Sequence, residues 1–383
     1  MKRLLAVVLA LLLSSCATAP PPAPEATVLD DTLFAPPSEP VEASQLFALS
    51  DAMRHYLDVD LAAAVRTKGA RAALVDALYR RGELRLEYDA AVTRNAAQAF
   101  EARSGNCLSL VIMTTALARH LGVPVQYHHV FVEETWGRSG DLLVSSGHVN
   151  LTLSSPMAER RARFDMVEAA TIDFDPPLPG QRQHSRVIGE STVVAMFMNN
   201  RAAESLAAGR TDDAYWWARA AIGTEATFLA AHNTLAVVYL RRGALAQAER
   251  VLTRLLEVEP ANVAALSNLA KTYAEQGRVA QAQAVLAQLA RVEPVAPFHY
   301  FHAGVAALER RDYAQAKVLF EKEVARAAYY HEFHFGLAVA LHGLGEFEAA
   351  QRQLALALQS STRPVDRELY AGKLERLKAS RLQ

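Results

Sequence analysis

A period of 34 residues runs through the second half of this chain and narrows what it can fold into. Gly209, Gly243 and Gly277 stand one period apart, and the same step lands on Arg311 and Gly345. Ala214, Ala248, Ala282, Ala316 and Ala350 keep the interval, as do Ala202, Ala236, Ala270, Gly304 and Ala338. Tyr239 and Tyr273, and Pro260 and Pro294, are also one step apart. Between these columns the sequence is rich in Ala and Leu, so each period reads as two helices joined at the Gly and crossing at the small residues. One such pair cannot bury its apolar face alone and must stack on its neighbours. Residues 194–361 are therefore expected to form five helix pairs of an all-α superhelix, the outer ones degenerate. A closing helix is expected in 362–383, from about Pro364.

The period, the small crossing residues, the turn Gly and the terminal Pro resemble the tetratricopeptide signature. The resemblance implies a groove that takes an extended peptide or a protein partner. Trp216 and Trp217 fall in the first unit, where one is expected in the core and the other is free to line the groove. His331 and His334, at i and i+3, read as packing or groove-lining residues, since no HExxH pattern accompanies them.

Upstream, residues 43–190 have a different character. Leu46, Leu49, Met53, Tyr56 and Leu57, then Leu61, Val65, Leu74, Leu78 and Tyr79, recur at helical spacing, with Gly69 and Gly82 as breaks. Thr93 is the expected N-cap of a helix carrying Ala96, Ala97 and Phe100. Arg103-Ser104-Gly105-Asn106-Cys107 then reads as a tight turn that delivers a cysteine to the first turn of a buried helix, Leu108 onward. Gly105 supplies permissive backbone, and Ser104 or Asn106 the cap. Gly122-Val123-Pro124 stops this helix. Val125–Glu133, Leu142–Ser145, His148–Leu153 and Ala170–Phe174 alternate as strands, the last ended by Asp175-Pro176-Pro177, with a Ser146-Gly147 turn inside the run. Helices followed by antiparallel strands make this part α+β.

The N-terminus carries a secretory pattern. Lys2-Arg3 is the charged region, Leu4 to Leu13 the apolar run, and Ser14-Ser15 precede Cys16. The apolar run is too short to span a bilayer. Leu13-Ser14-Ser15-Cys16 resembles the lipobox of bacterial lipoproteins, which implies residues 1–16 as a lipoprotein signal peptide and Cys16 as the lipidated N-terminus. With Ala17 after the cysteine, the resemblance implies the periplasmic face of the cell envelope, at the outer membrane. Seven prolines between Pro20 and Pro40 make 17–42 a Pro-rich tether that holds the folded part off the membrane. If Cys16 is consumed in this way, Cys107 is the one thiol left, and no internal disulfide can form.

The net charge of the chain is -1, which leaves no basic footprint for nucleic acid. No phosphate loop, CxxC or dinucleotide fingerprint is present, so no cofactor or metal is expected. His128 and His129 point to opposite faces of a strand and cannot share a metal, which leaves packing or a pocket wall as their roles. Asn150-Leu151-Thr152 matches a glycosylation sequon, of little use to a bacterial lipoprotein.

The residues that carry chemistry are Cys107 at a helix start, His148 in one strand and Asp173 in another. A thiol nucleophile needs a base, and the base needs an acceptor that fixes its tautomer. Leu86-Glu87-Tyr88, Thr93, Ala99-Phe100, Ser104-Gly105-Asn106-Cys107-Leu108-Ser109 and Leu121-Gly122-Val123-Pro124 resemble the bacterial transglutaminase-like superfamily. Gly147-His148-Val149-Asn150 and Ile172-Asp173-Phe174-Asp175-Pro176 resemble its His and Asp motifs. The resemblance covers roughly 86–176 within a domain spanning 43–190. It implies a papain-like fold, with Cys107 as nucleophile, His148 as general base and Asp173 as orienting acid. It also implies acyl transfer through a thioester: transglutamination, deamidation, or hydrolysis of a peptide or amide substrate. Asp173 and Asp175 lie on the same strand face, and Asp175, next to Pro176, reads as a turn residue, which favours Asp173. The candidates for an oxyanion donor are Gln98 and the Cys107 backbone N–H.

Two readings of the whole follow. In one, the chain is an envelope lipoprotein with a cysteine amidase, peptidase or acyl-transferase domain and protein-binding repeats. In the other, it is a non-catalytic repeat scaffold for envelope assembly, in which Cys107 is a small buried residue of an inactive fold.

Overall fold

The computed structural model describes residues 28–379, apart from 80–83, 85, 90–91, 133–135, 140–141, 146–147, 155–168, 175–182, 296–297, 328–329 and 362–363. Cys16, the leader, the first part of the tether, Ser146-Gly147 and Asp175 lie outside the described residues.

After a 3-10 turn at Asp31–Leu33 come three short helices: α1 (Asp51–His55), which runs into a π-helical turn at Tyr56–Asp60, then α2 (Ala62–Lys68) and α3 (Ala70–Tyr79). Ser50 caps α1 by accepting from the Met53 N–H. A two-residue strand β1 (Glu87–Tyr88) pairs in parallel with β2 (Ser104–Gly105), flanking α4 (Ala96–Ala102). The N-cap of α4 is Asn95, not Thr93: Asn95 and Gln98 form a reciprocal capping box, and Thr93 is buried with other partners.

Next comes α5 (Cys107–His120), buried at every position from Leu108 to Ala118. That total burial explains why the segment has apolar residues all round rather than a stripe. Against it lies an antiparallel sheet in the order β7–β6–β3–β8, made of β3 (Val125–Val132), β6 (His148–Leu153), β7 (Ala170–Ile172) and β8 (Gln183–Ile188). A separate hairpin, β4 (Trp136–Ser139) with β5 (Leu142–Ser145), reaches across to the repeat helices. Strands β4 and β8 were not expected from the sequence. In β8, Ser185, Arg186 and Val187 are all exposed, so this edge strand lacks the alternation that identifies a half-buried one.

The superhelix begins directly at Gly189. Its helices are α6 (Glu190–Ala207), α7 (Thr211–Thr224), α8 (Leu229–Arg242), α9 (Leu245–Val258), α10 (Val263–Glu275), α11 (Val279–Val292), α12 (His299–Glu309), α13 (Tyr313–Arg326), α14 (His331–Gly343), α15 (Phe347–Ser360) and α16 (Pro364–Ala379). They form five pairs and a closing helix. The glycine column has a backbone cause: Gly209, Gly243, Gly277 and Gly345 have φ of +75 to +79°, and Arg311 is held at +60° in the same turn.

The reading of 17–42 as a free tether needs correction for its second half. Residues 28–40 pack against α6–α9, with Val28 and Phe34 buried. Proline-rich extended chain suits a docked strand as well as a spacer, and composition does not separate the two. Trp217 is in the core, as expected of one of the pair, and the indole N–H of Trp216 donates to the Ala35 carbonyl at 2.6 Å.

Candidate active site

The turn before Cys107 is built by three devices. Arg103 closes α4 in the left-handed region, at φ 54°. Gly105 is required by close approach rather than by its φ: a Cβ there would lie 2.6 Å from the Ser109 Cβ. Asn106 caps α5, its Oδ1 accepting from the Ser109 N–H and hydroxyl, each at 2.8 Å.

The Asn106 amide in turn donates to Thr93 Oγ1 at 2.9 Å, which also accepts from Asn200 at 3.2 Å. The Thr93 N–H donates to Glu204 at 2.7 Å, and Glu204 pairs with Arg201. The cap of the cysteine helix is thus tied to α6 of the superhelix. Cys107 is left partly exposed at the helix N-terminus, where the backbone partial charge is positive.

His148 is the first residue of β6, and its Nε2 lies 2.7 Å from Asp173 Oδ1, just past β7. The other carboxylate oxygen accepts from Asn150 Nδ2 at 3.0 Å. Strand alternation puts His148 and Asn150 on one face, so a single carboxylate bridges both. The Asp173 N–H donates to the Tyr79 hydroxyl at 3.1 Å, which ties this corner to the end of α3.

The Cys107 side chain lies near enough to the ring of His148 to act on its charge. Burial alone would lower its pKa, but the hydrogen bond to Asp173, the interaction with Cys107 and the charge of the carboxylate outweigh that cost and raise it from 6.5 to about 10. The three residues singled out from the sequence therefore meet, with His148 in the middle.

Other candidates resolve differently. Gln98 caps α4, its side-chain oxygen accepting from the Asn95 N–H at 3.1 Å. His128 bonds Thr152 at 3.0 Å on one strand face. His129 lies on the other, where burial, then Arg186 and His148, lower its pKa to about 4 and keep the ring neutral. His331 and His334 are structural, bonding the Tyr370 hydroxyl at 2.8 Å and Gln353 at 2.7 Å.

Sequence reasoning missed the roles of Asn150 and Tyr79. The i+2 spacing from His148, which puts both on one strand face, is the signal that could have found Asn150, which is buried and engaged by Asp173. Nothing local pointed to Tyr79. Among the described residues no three His, Cys, Asp or Glu side chains gather as a metal site. No described helix is long and apolar enough to cross a membrane.

Residues 59–170 match the model of the transglutaminase-like superfamily, a span that includes Cys107 and His148 and ends just before Asp173. Residues 242–303 match the tetratricopeptide repeat. No curated protein matches the chain. Among solved structures, the chain is similar to a thermophilic tetratricopeptide protein of Thermus thermophilus, at 21% identity over 47% of this chain and 98% of that one, with a TM-score of 0.31. It is similar to Pseudomonas aeruginosa pilF at 21% identity over 50% of this chain and 88% of that one, TM-score 0.30. A tetratricopeptide protein of Parabacteroides merdae is 20% identical over 50% of this chain and 77% of that one, TM-score 0.26. At these scores the structural likenesses carry no argument about function. The two family matches and the fold together make this chain a transglutaminase-like α+β domain continued by a superhelix of tetratricopeptide-like repeats.

Proposed function

We propose that the chain is a cell-envelope lipoprotein whose transglutaminase-like domain performs acyl transfer on a peptide or protein carboxamide. The observation that carries this reading is the position of His148, hydrogen-bonded to Asp173 and close enough to Cys107 for the two to interact. Cys107 sulfur attacks the amide carbonyl carbon, and the carbonyl π electrons move to oxygen. The Cys107 backbone N–H, at the first position of α5 and without a partner in its own helix, is the donor for that oxyanion. As the tetrahedral adduct collapses, the C–N bond breaks and His148 gives its proton to the departing amine. The thioester is then opened by water or a second amine, which loses a proton to neutral His148, and the thiol is restored. Asp173 keeps the ring in the useful tautomer and stabilises the imidazolium.

Lipidation at Cys16 would fix the protein to the membrane on the periplasmic side, and the repeats would recruit the protein that is cut or modified. Alkylation kinetics test the chemistry. Cys107 should react with iodoacetamide at neutral pH far faster than a free thiol, and His148→Ala should remove the difference. A wild-type rate no faster than that of a free thiol would sink the enzymatic reading and leave the scaffold. The anchor has its own test: globomycin should block processing, and a mature N-terminus beyond Cys16 would exclude lipidation.

A further inference from the structure

The docked N-terminal strap is bound the way a peptide ligand is bound. Residues 29–39 contain one 3-10 turn, Asp31–Leu33, and none of residues 28–39 belongs to a described sheet. Their main chain is instead met by side chains of the repeats. The Asp30 N–H donates to the Tyr215 hydroxyl at 3.0 Å, and the Tyr239 hydroxyl donates to the Val28 carbonyl at 2.9 Å. The Ala35 N–H donates to Asp212 at 3.0 Å, and the Ser38 N–H and hydroxyl donate to Asp213, each at 2.7 Å.

Side chains add identity to this backbone grip. Phe34 stacks on Tyr215 at 4.0 Å with an interplanar angle of 5°, and the Arg242 guanidinium lies over its ring. Asp31 accepts from the Tyr215 hydroxyl at 2.6 Å and from Arg219 at 2.8 Å. Asp30 accepts from Gln247 at 3.1 Å, and Glu39 from Arg201 at 2.8 Å.

Several of these groups on the repeats are completed by the strap. Tyr215 is wholly buried, and Asp213 is only 3% exposed. Burial would raise the Asp213 pKa, yet Ser38 and Arg210 hold it below the usual carboxylate value. Without the strap, the repeats present an aromatic floor ringed by hydrogen-bonding and cationic side chains.

We propose that the surface formed by α7, the end of α8 and the start of α9 is a recognition site for an extended protein segment with two adjacent acidic residues and a phenylalanine three positions on. Residues 28–39 are its built-in occupant, which a protein partner of the same chemistry displaces. This deepens the reading of the repeats as a protein-binding surface and rests on it, but not on the reactivity of Cys107.

The test uses a fluorescent peptide of residues 28–40 titrated into the full chain. With the strap present at an effective concentration of order millimolar, the wild type should take up the peptide poorly. The Asp31→Ala/Phe34→Ala chain should bind it at least about tenfold more tightly, and adding Arg219→Ala should remove the gain. No gain in the double variant, or equal uptake of a scrambled peptide, overturns the proposal. A partner crosslinked to other repeats while the peptide is refused overturns it too, and leaves the broader reading of the repeats intact. Hydrogen exchange on the unaltered chain serves if the variant does not fold. Strap amides should exchange while α7–α9 stay protected; exchange only together with α7 would make the strap part of the core and end the proposal.

Discussion

His148 sits where two opposing effects compete, and its charge state is the residue-scale question on which the chemistry turns. Because its folded pKa is raised from 6.5 to about 10, the folded chain binds a proton that the unfolded chain releases between those values. Its contribution to stability is therefore complete below pH 6.5 and is lost as the pH rises towards about 10. The ring resonances of His148 should stay in the imidazolium position through pH 8 in an NMR titration. Asp173→Asn removes one of the two raising partners, so the midpoint should move down towards the ordinary histidine range. A wild-type midpoint near 6.5 would show that the ion pair does not form. Asn150 tests orientation rather than charge. Asn150→Ala leaves Asp173 Oδ2 without the donor now 3.0 Å away, at a cost of about 1 kcal/mol in stability. It should slow Cys107 alkylation less than His148→Ala does. An unchanged alkylation rate together with unchanged stability would mean that Asn150 does not hold the carboxylate.

At the scale of elements, the repeat turns show how backbone conformation writes itself into sequence. Four of the five turn positions are glycines, and Arg311 alone among them meets a left-handed φ with a side chain. Arg311→Gly should raise stability by about 1 kcal/mol, read as a higher denaturant midpoint with an unchanged slope. A lower midpoint would show that the Arg311 side chain is worth more than the relief of strain. In the crossing column the constraint is space instead: a Cβ added at Gly304 would lie 2.9 Å from the wholly buried Phe320 ring. The superhelix was legible because the same spacing is stated five times. The site was legible in part: Cys107, His148 and Asp173 announce themselves by residue type and by position on their elements. Tyr79, Thr93 and Asn200 act through contacts that no local pattern encodes. The edge strand β8 was hidden because its exposed residues do not alternate. The strap was hidden because its prolines fit a free spacer equally well.

Across the whole molecule, the boundary between the two parts does not fall where the fold type changes. One buried apolar cluster runs from Val28 and Phe34 through α5 and the sheet into the repeats as far as Leu269. The buried apolar residues beyond form separate clusters, one on α12–α15, one around Phe298 and Phe333, and one where α14 and α15 meet α16. Between them, α11 buries only Ala282 and Leu289, while Val279, Leu286 and Val292 are exposed. The Thr93 contacts with Asn106, Asn200 and Glu204 lie entirely inside the first body, so the Cys107 turn is braced by α6 and not by the distal repeats. Nearest-neighbour stacking makes a superhelix weakest where one interface is thin. Helices α12–α16 should therefore open as a unit, at lower denaturant than α5–α10. Hydrogen exchange followed by mass spectrometry should show two protection levels dividing at α11, with the Cys107 turn keeping its protection while α12–α16 are already exchanging. A single transition in which every helix from α5 to α15 loses protection together would show that α11 transmits cooperativity despite its sparse core.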